Sequence, residues 1–239
     1  MKLLAPLLWF MFCLSLLLFS LGLSWQVNKS VNFTYPFWYQ VLDISSHIDK
    51  YAPQNKYQKQ DFVNTDAGQH QQLFSDVVVA INNHGEGLAE MEYHLGAASK
   101  TLFTHSEVVH LQDVSNLVDK LRWLWLINLI PLTTLLLCYR SKKLLMPERK
   151  LKIHASVVSL SALLLSFSVF GFKKIFYYLH TVVFPDNHQW FFYYQESLMS
   201  TFMKAPDLFA AIAINLTVVA LAMCIPLYYY IAKINKSLL

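Results

Sequence analysis

The side chains best suited to moving protons at neutral pH gather in one short stretch, Glu107-Val-Val-His110-Leu-Gln-Asp113, with a second candidate, His180, far along the chain. Histidine alone has an ordinary pKa near neutrality, so a placed imidazole serves as acid or base. On a helix, Glu107 and Asp113 lie three residues to either side of His110, close enough for either to orient its ring. At about 100° per residue, Val114, Leu117, Val118 and Leu121 form one apolar arc. Glu107 and His110 fall within it and Asp113 lies at its margin, while Gln112, Asn116 and Asp119 face the other way, where solvent is expected. The arc runs into an apolar stretch long enough to enter a membrane, where ionisable groups on a buried stripe are costly and are kept for a partner or a task. Periodicity alone also allows the plainer alternative, a histidine that only satisfies a hydrogen bond in a packing interface. The same alternative holds for His180, which ends the aromatic run Phe176-Tyr177-Tyr178-Leu179.

Other chemistries fit less well. Glu107-x-x-His110 has the spacing of carboxylate-bridged di-iron bundles, but those need a second copy and two further glutamates, and the sequence has no second copy. His105 and His110 are five apart, the wrong spacing for a helical zinc pair. Cys13, Cys138 and Cys224 all lie in apolar runs and are expected to be small packing residues. There is no Gly-x-Ser-x-Gly elbow and no phosphate-cradling glycine loop. No metal and no cofactor is therefore expected.

The elements that must position these residues follow from composition. Of 239 residues, 55% are hydrophobic and 14% charged, a balance that suits a multi-pass membrane protein rather than a soluble domain. Four spans are expected, at residues 3–23, 123–139, 155–172 and 208–232, the last kinked by Pro226. The first could be a signal peptide, but its apolar run is long and lacks a small-x-small site, so a retained helix is expected. The loop 140–154 carries Arg140, Lys142, Lys143, Arg149, Lys150 and Lys152 against Glu148, which places it in the cytoplasm. Lys2, Lys233 and Lys236 place both termini there as well. That placement accounts for the basic loop without nucleic acid.

Two segments, 24–122 and 173–207, then lie outside the membrane and hold eight of the nine histidines. Aromatic residues at 33–42 suit an interfacial belt, 52–68 reads as an exposed loop, and 70–83 has helical spacing ended by Gly85 and Gly87. A second short helix is expected over 88–98. Lys173 and Lys174, at the outer end of the third span, and the aromatic Trp190 are candidate lipid-interface residues. The expected fold is an all-α membrane protein: four transmembrane helices with a helical extracytoplasmic cap, forming a single integral membrane domain over 1–239.

The stretch Glu107-Val-Val-His110-Leu-Gln-Asp113-Val114, set before a span, resembles the Glu-x-x-His-(Met/Leu)-x-Asp-Val signature of the bacterial lipoprotein intramolecular transacylase family. Leu179-His180-x-x-x-Phe184, followed by Trp190 and a last span, resembles that family's second histidine motif. The chain departs from the family pattern at Ser106, where a basic residue is usual, and in the looser Lys204-Ala205-Pro206-Asp207. The resemblance implies an enzyme of the bacterial cytoplasmic membrane acting on the diacylated N-terminus of a lipoprotein. It implies transfer of an acyl chain from the sn-2 ester of the diacylglyceryl group to the α-amine of the same lipid-modified cysteine. His110 and His180 are then the catalytic pair, with His110 assigned as base and His180 as acid or oxyanion donor, the reverse order remaining open. Glu107 and Asp113 are orienting residues, and membrane lipids are further partners. The alternative is a non-catalytic membrane protein of the same fold, a lipid-binding or assembly partner; the oligomeric state is left open.

Overall fold

In a computed structural model, residues 4–141, 144, 148, 150, 171 and 173–236 are described. The chain is mostly helical. In order come α1 (Leu4–Ser30), α2 (Tyr35–Val41), α3 (Ile44–Tyr51), α4 (Ala67–Ile81), a hairpin of β1 (Glu92–Leu95) and β2 (Ala98–Thr101), and α5 (His105–Arg140). A helix over residues 173–183, α6, is followed by α7 (Leu198–Phe202) and α8 (Asp207–Lys236). Three helices are long and apolar enough to cross a membrane: Leu4–Ser30, His105–Arg140 and Asp207–Ile231, with mean hydropathies of 2.3, 1.6 and 2.5 over their most apolar windows. The expected third span at 155–172 lies, Gly171 apart, outside the described residues, as does most of the 140–154 loop.

The 36 residues of α5 extend for about 54 Å at 1.5 Å per residue, well beyond the ~30 Å of hydrocarbon that a span must cross. Glu107, Asp113, Asp119, Lys120 and Arg122 all precede Trp123, so only the stretch from 123 onward is poor enough in charge to span. The helix before it, with His110, is richer in charge.

The chain divides into two compact units. One is formed by residues 1–27, 121–172 and 215–239. Its core is Trp9, Phe12 and Leu16 of α1 against Leu132, Leu135 and Tyr139 of α5. Cys13 and Cys224 border this core as small fillers, as expected. Polar side chains tie helix to helix: Asn128 Nδ2 donates to the Ser15 carbonyl at 2.8 Å and Ser24 Oγ to the Leu216 carbonyl at 2.8 Å. Trp125 lies so close to Gly22 that a Cβ there would come within 2.1 Å of the indole.

The other unit, residues 28–120 and 173–214, carries the candidate site. Its core holds Tyr35, Ile44, Ile48, Phe62, Leu88, Tyr93, Leu102, Leu198 and Phe202, all at most 1% exposed. Tyr35 stacks on Phe74 with centroids 4.1 Å apart and donates its hydroxyl to the Phe202 carbonyl at 2.7 Å. The expected interfacial belt is therefore only partly one: Phe33, Tyr35 and Tyr39 are core residues, while Phe37 stays 58% exposed. The 52–68 stretch is likewise no simple loop. Two 3-10 turns, Ala52–Gln54 and Gln60–Asn64, bury Ala52, Asn55, Lys59 and Phe62.

The helix expected over 88–98 is replaced by the hairpin. Gly96 has φ +65°, a left-handed conformation open to glycine, and Leu95 pairs with Ala98 across the turn. The fully buried Tyr93 donates its hydroxyl to Asp61 at 2.6 Å, and Lys100 on the paired strand meets the same carboxylate. A tertiary anchor thus overrides local helical preference.

The face of α5 expected to be solvated receives the end of α4. Ser115, fully buried, donates to the Ile81 carbonyl at 2.9 Å, which satisfies an orphan group of the last helical turn. Gln112 donates to the His84 carbonyl at 3.0 Å, and Asp119 accepts from His84 at 2.7 Å. Asn116 alone of the expected trio is exposed, while Leu121 of the apolar arc is 53% exposed. Gly85 makes the close turn possible with φ +79°; a Cβ there would lie 2.1 Å from Gln112. Gly85→Ala is expected to cost about 1–3 kcal/mol in thermal unfolding and to loosen the Gln112 contact.

His70 is a core residue with a fixed tautomer. Thr65 Oγ1 gives its proton to the Phe62 carbonyl, so it accepts from His70 Nε2–H at 2.7 Å, and Tyr39 donates to Nδ1 at 2.8 Å. Burial lowers its pKa from 6.5 to about 4. Its contribution to stability is full above the unfolded pKa of 6.5 and is lost as pH falls from there toward 4. Unfolding followed against pH is expected to show this loss, up to roughly 3 kcal/mol for this group, and His70→Gln to flatten it.

Candidate active site

The start of α5 is set by a capping box. Thr104 precedes the helix, its Oγ1 accepts from Glu107 N at 3.4 Å, and Glu107 Oε2 reaches back to accept from Thr104 N at 2.6 Å. The other carboxylate oxygen, Oε1, accepts from Ser197 Oγ at 2.6 Å and from Met199 N at 3.0 Å. Ser197 also caps α7, its Oγ accepting from Ser200 N at 2.9 Å. One fully buried carboxylate thus joins the first turns of two helices. Lys59, 8% exposed, donates to the Leu102 carbonyl at 2.9 Å; burial lowers its pKa and the Glu107 charge raises it. The four hydrogen bonds described for Glu107 all serve this junction, and none runs to the His110 ring.

One turn further on, His110 is 7% exposed. Its imidazole lies against His180, with ring centroids 6.0 Å apart and planes 31° apart. Phe184 and Phe192 flank it at 5.0 and 5.9 Å. His180, from α6, stands in its own aromatic setting, with Phe176 at 4.1 Å, Phe184 at 5.1 Å and Trp190 at 5.2 Å. Its Nδ1 donates to the Phe176 carbonyl at 2.7 Å, which directs the Nε2 lone pair away from the helix backbone.

Both imidazoles are held toward the neutral form. For His110, burial chiefly, with the neighbouring His180, lowers the pKa from 6.5 to about 4, and Asp113 draws it partly back. For His180 burial lowers the pKa, while the bond to the Phe176 carbonyl raises it. Two neutral imidazoles in an aromatic setting offer a lone pair, an N–H donor and little water, which suits proton transfer around a carbonyl centre.

The residues singled out in the sequence are thus partly gathered. His110 and His180, 70 residues apart in sequence, are neighbours. Trp190, expected at the lipid interface, lies over His180 and touches Tyr177 at 6.0 Å. Lys173 and Lys174 are exposed on α6. Asp113 accepts a hydrogen bond from His188 Nδ1 at 2.6 Å. His188 carries no motif of its own; the turn-forming residues Pro185-Asp186-Asn187 before it are the one local signal in the sequence. The Thr104-x-x-Glu107 capping box was legible and marks Glu107 as a helix-start residue. Among the described residues, no group of three or more His, Cys, Asp or Glu is disposed to hold a metal ion.

Removing the charge at the junction tests its weight. Glu107→Gln keeps the shape but offers one acceptor oxygen and a competing N–H donor to groups that all donate. A loss of about 2–5 kcal/mol is expected in thermal unfolding, with a larger one for Glu107→Ala.

The family model described as lipoprotein intramolecular transacylase Lit matches residues 8–204. No curated protein matches by sequence. The fold is similar to in meso structures of the membrane integral lipoprotein intramolecular transacylase Lit from Bacillus cereus. One such structure has a TM-score of 0.64 at 15% identity over 99% of this chain and 100% of that one. A variant with a histidine replaced by arginine gives 0.64 at 14% identity, covering 99% and 94%. A variant with alanine in place of histidine gives 0.62 at 16%, covering 99% and 97%.

Proposed function

The chain belongs to the lipoprotein intramolecular transacylase family, a family of membrane enzymes, and on that premise we propose that it moves an acyl chain within the lipidated N-terminus of a bacterial lipoprotein. The acyl chain leaves the sn-2 ester of the diacylglyceryl group and joins the α-amine of the same cysteine. The observation that carries this reading is the contact of the His110 and His180 rings, at 6.0 Å between centroids, in an aromatic surround. The substrate supplies its own nucleophile, an amine with an ordinary pKa near ~8, so the protein needs no serine or cysteine of its own. Its tasks are to take a proton from the amine, to stabilise the tetrahedral oxyanion, and to protonate the departing alkoxide.

The two imidazoles divide these tasks. His180, whose Nδ1–H is spent on the Phe176 carbonyl, presents the Nε2 lone pair and is the base. His110, whose pKa is lowered to about 4, stays neutral and offers its N–H to the oxyanion. The amine attacks the ester carbonyl carbon and passes a proton to His180 Nε2. Collapse of the intermediate breaks the bond to the sn-2 oxygen, which receives that same proton. The products are an amide and a free hydroxyl, with no water consumed. Amine and ester belong to one molecule, so their proximity is built into the substrate.

The accompanying topology has spans at 3–23, 123–139, 155–172 and 208–232, both termini in the cytoplasm, and segments 24–122 and 173–207 at the outer face of the cytoplasmic membrane. The positive loop residues support it. In that setting Lys173 and Lys174 meet lipid headgroups.

The test is to incubate the purified protein with a synthetic diacylated lipopeptide and locate the acyl chain by fragment mass spectrometry. Transfer to the amine is expected, with kcat reduced at least ~100-fold by His180→Ala or His110→Ala at unchanged yield of folded protein. Folded protein that leaves the acyl chain on the ester would favour the non-catalytic reading, a lipid-binding or assembly partner. The rate is expected to rise from pH 6 toward 8 as the substrate amine loses its proton, while burial favours the neutral form of both histidines.

A further inference from the structure

Residues 184–192 wrap the two imidazoles. Phe184 touches both rings, Trp190 lies on His180, and Phe192, 8% exposed, lies on His110. Between these contacts His188 turns back to α5 and bonds Asp113, one helical turn after His110. A second bond, His188 N to the Pro185 carbonyl at 3.0 Å, shapes the turn itself. Among the described bonds, the His188–Asp113 contact is the one that ties the stretch 185–192 to the helix carrying His110.

We propose that His188 is a positioning residue: by bonding Asp113 it latches the 184–192 strap over the histidine pair and tempers the pull of the Asp113 carboxylate on His110. The proposal rests on the transacylase reading for its catalytic readout. The charged or titratable groups that act on His110 are His180 from α6, which pushes its pKa down, and Asp113 on its own helix, which draws it up. With His188 gone, the carboxylate on Asp113 has lost its proton donor, and its pull on His110 grows. The aromatic wall formed by Phe192 and Trp190 loses its tie at the same time. The strap then no longer holds the imidazoles at reacting distance, a fault of geometry that lowers kcat more than it raises KM.

Three variants test this on the full-length protein in detergent micelles. In His188→Phe and in Asp113→Asn, kcat on the diacylated lipopeptide is expected to fall about 10- to 100-fold with little change in KM. The double variant is expected to cost no more than the worse single one. His188→Gln, which keeps an N–H donor, is expected to recover most of the rate. Independently of turnover, the His110 imidazole is followed by nitrogen NMR on histidine-labelled protein, its signal identified by its loss in His110→Gln. Its titration is expected to move to higher pH in His188→Phe and to lower pH in Asp113→Asn. A wholly structural role would not move it in opposite directions. Unchanged kcat and an unchanged His110 titration in folded His188→Phe would overturn the latch, as would a loss confined to KM. Should His188→Phe fail to fold, His188→Gln and Asp113→Asn carry the same comparison. Absence of acyl migration by the native protein would instead defeat the transacylase reading, and the titration would still judge the latch.

Discussion

The Glu107 carboxylate is the point on which the histidine-bearing unit is organised. A charge with no exposed surface must be repaid by donors, and here the donors are Thr104 N, Ser197 Oγ and Met199 N, all belonging to helix starts. The two backbone N–H groups would be orphaned without it, since the first N–H groups of a helix have no partner within the helix. The carboxylate therefore fixes where α5 begins, and with it the angular position of every residue on the first turns, His110 included. The same oxygen that ties down Ser197 seats α7, whose five residues are all buried. Lys59 nearby adds a compensating charge without touching the carboxylate directly.

Because both acidic residues beside His110 have other engagements, the imidazole pair is left to an aromatic environment. Glu107 serves the helix junction and Asp113 serves His188. An imidazole bonded to a carboxylate would be drawn toward its charged form, whereas rings and burial favour the neutral one. The carboxylate–histidine arrangement familiar from serine hydrolases holds an imidazolium in place. The pair here has the opposite electrostatic character, which suits a reaction whose nucleophile arrives as a basic amine and whose ionic intermediate is brief. His180 takes its orientation from a main-chain carbonyl, a partner that polarises the ring without a full charge.

The parts of the fold carried by long periodic runs were legible in the sequence. Hydropathy alone indicated α1, the apolar half of α5 and α8, and the helix continuing α5 outward followed from its arc. The helix expected over 70–83 is α4, and Gly85 and Gly87 do end it. What periodicity could not supply was long-range pairing. The hairpin at 92–101 is held by Tyr93 and Lys100 meeting Asp61, residues some 30 to 40 positions apart, and its own exposed side chains carry almost no alternation. The role of Ser115 as a cap for another helix has no local signature, and neither has the pairing of Asp113 with His188. The pairing of His110 with His180 came from resemblance to a family, because each histidine alone was as well explained by packing. Of the candidate site, the residue types could be read directly, but their partners could not.

The long reach of these contacts bears on how the unit is assembled. Tyr35 bonds the Phe202 carbonyl, 167 residues later, and Glu107 waits for Ser197 and Met199. While the chain is being made, the first ninety residues of this unit exist for a time without α7, their core open along Tyr35, Phe62 and Leu102 and the Glu107 carboxylate uncovered. Closure comes only after the stretch through residue 202 has been synthesised. A late-arriving plug of this kind makes for slow, non-local folding and a window of exposure to aggregation or proteolysis. Truncation anywhere before Leu198 would thus leave the earlier segment without a lid for its core, however well its own helices form.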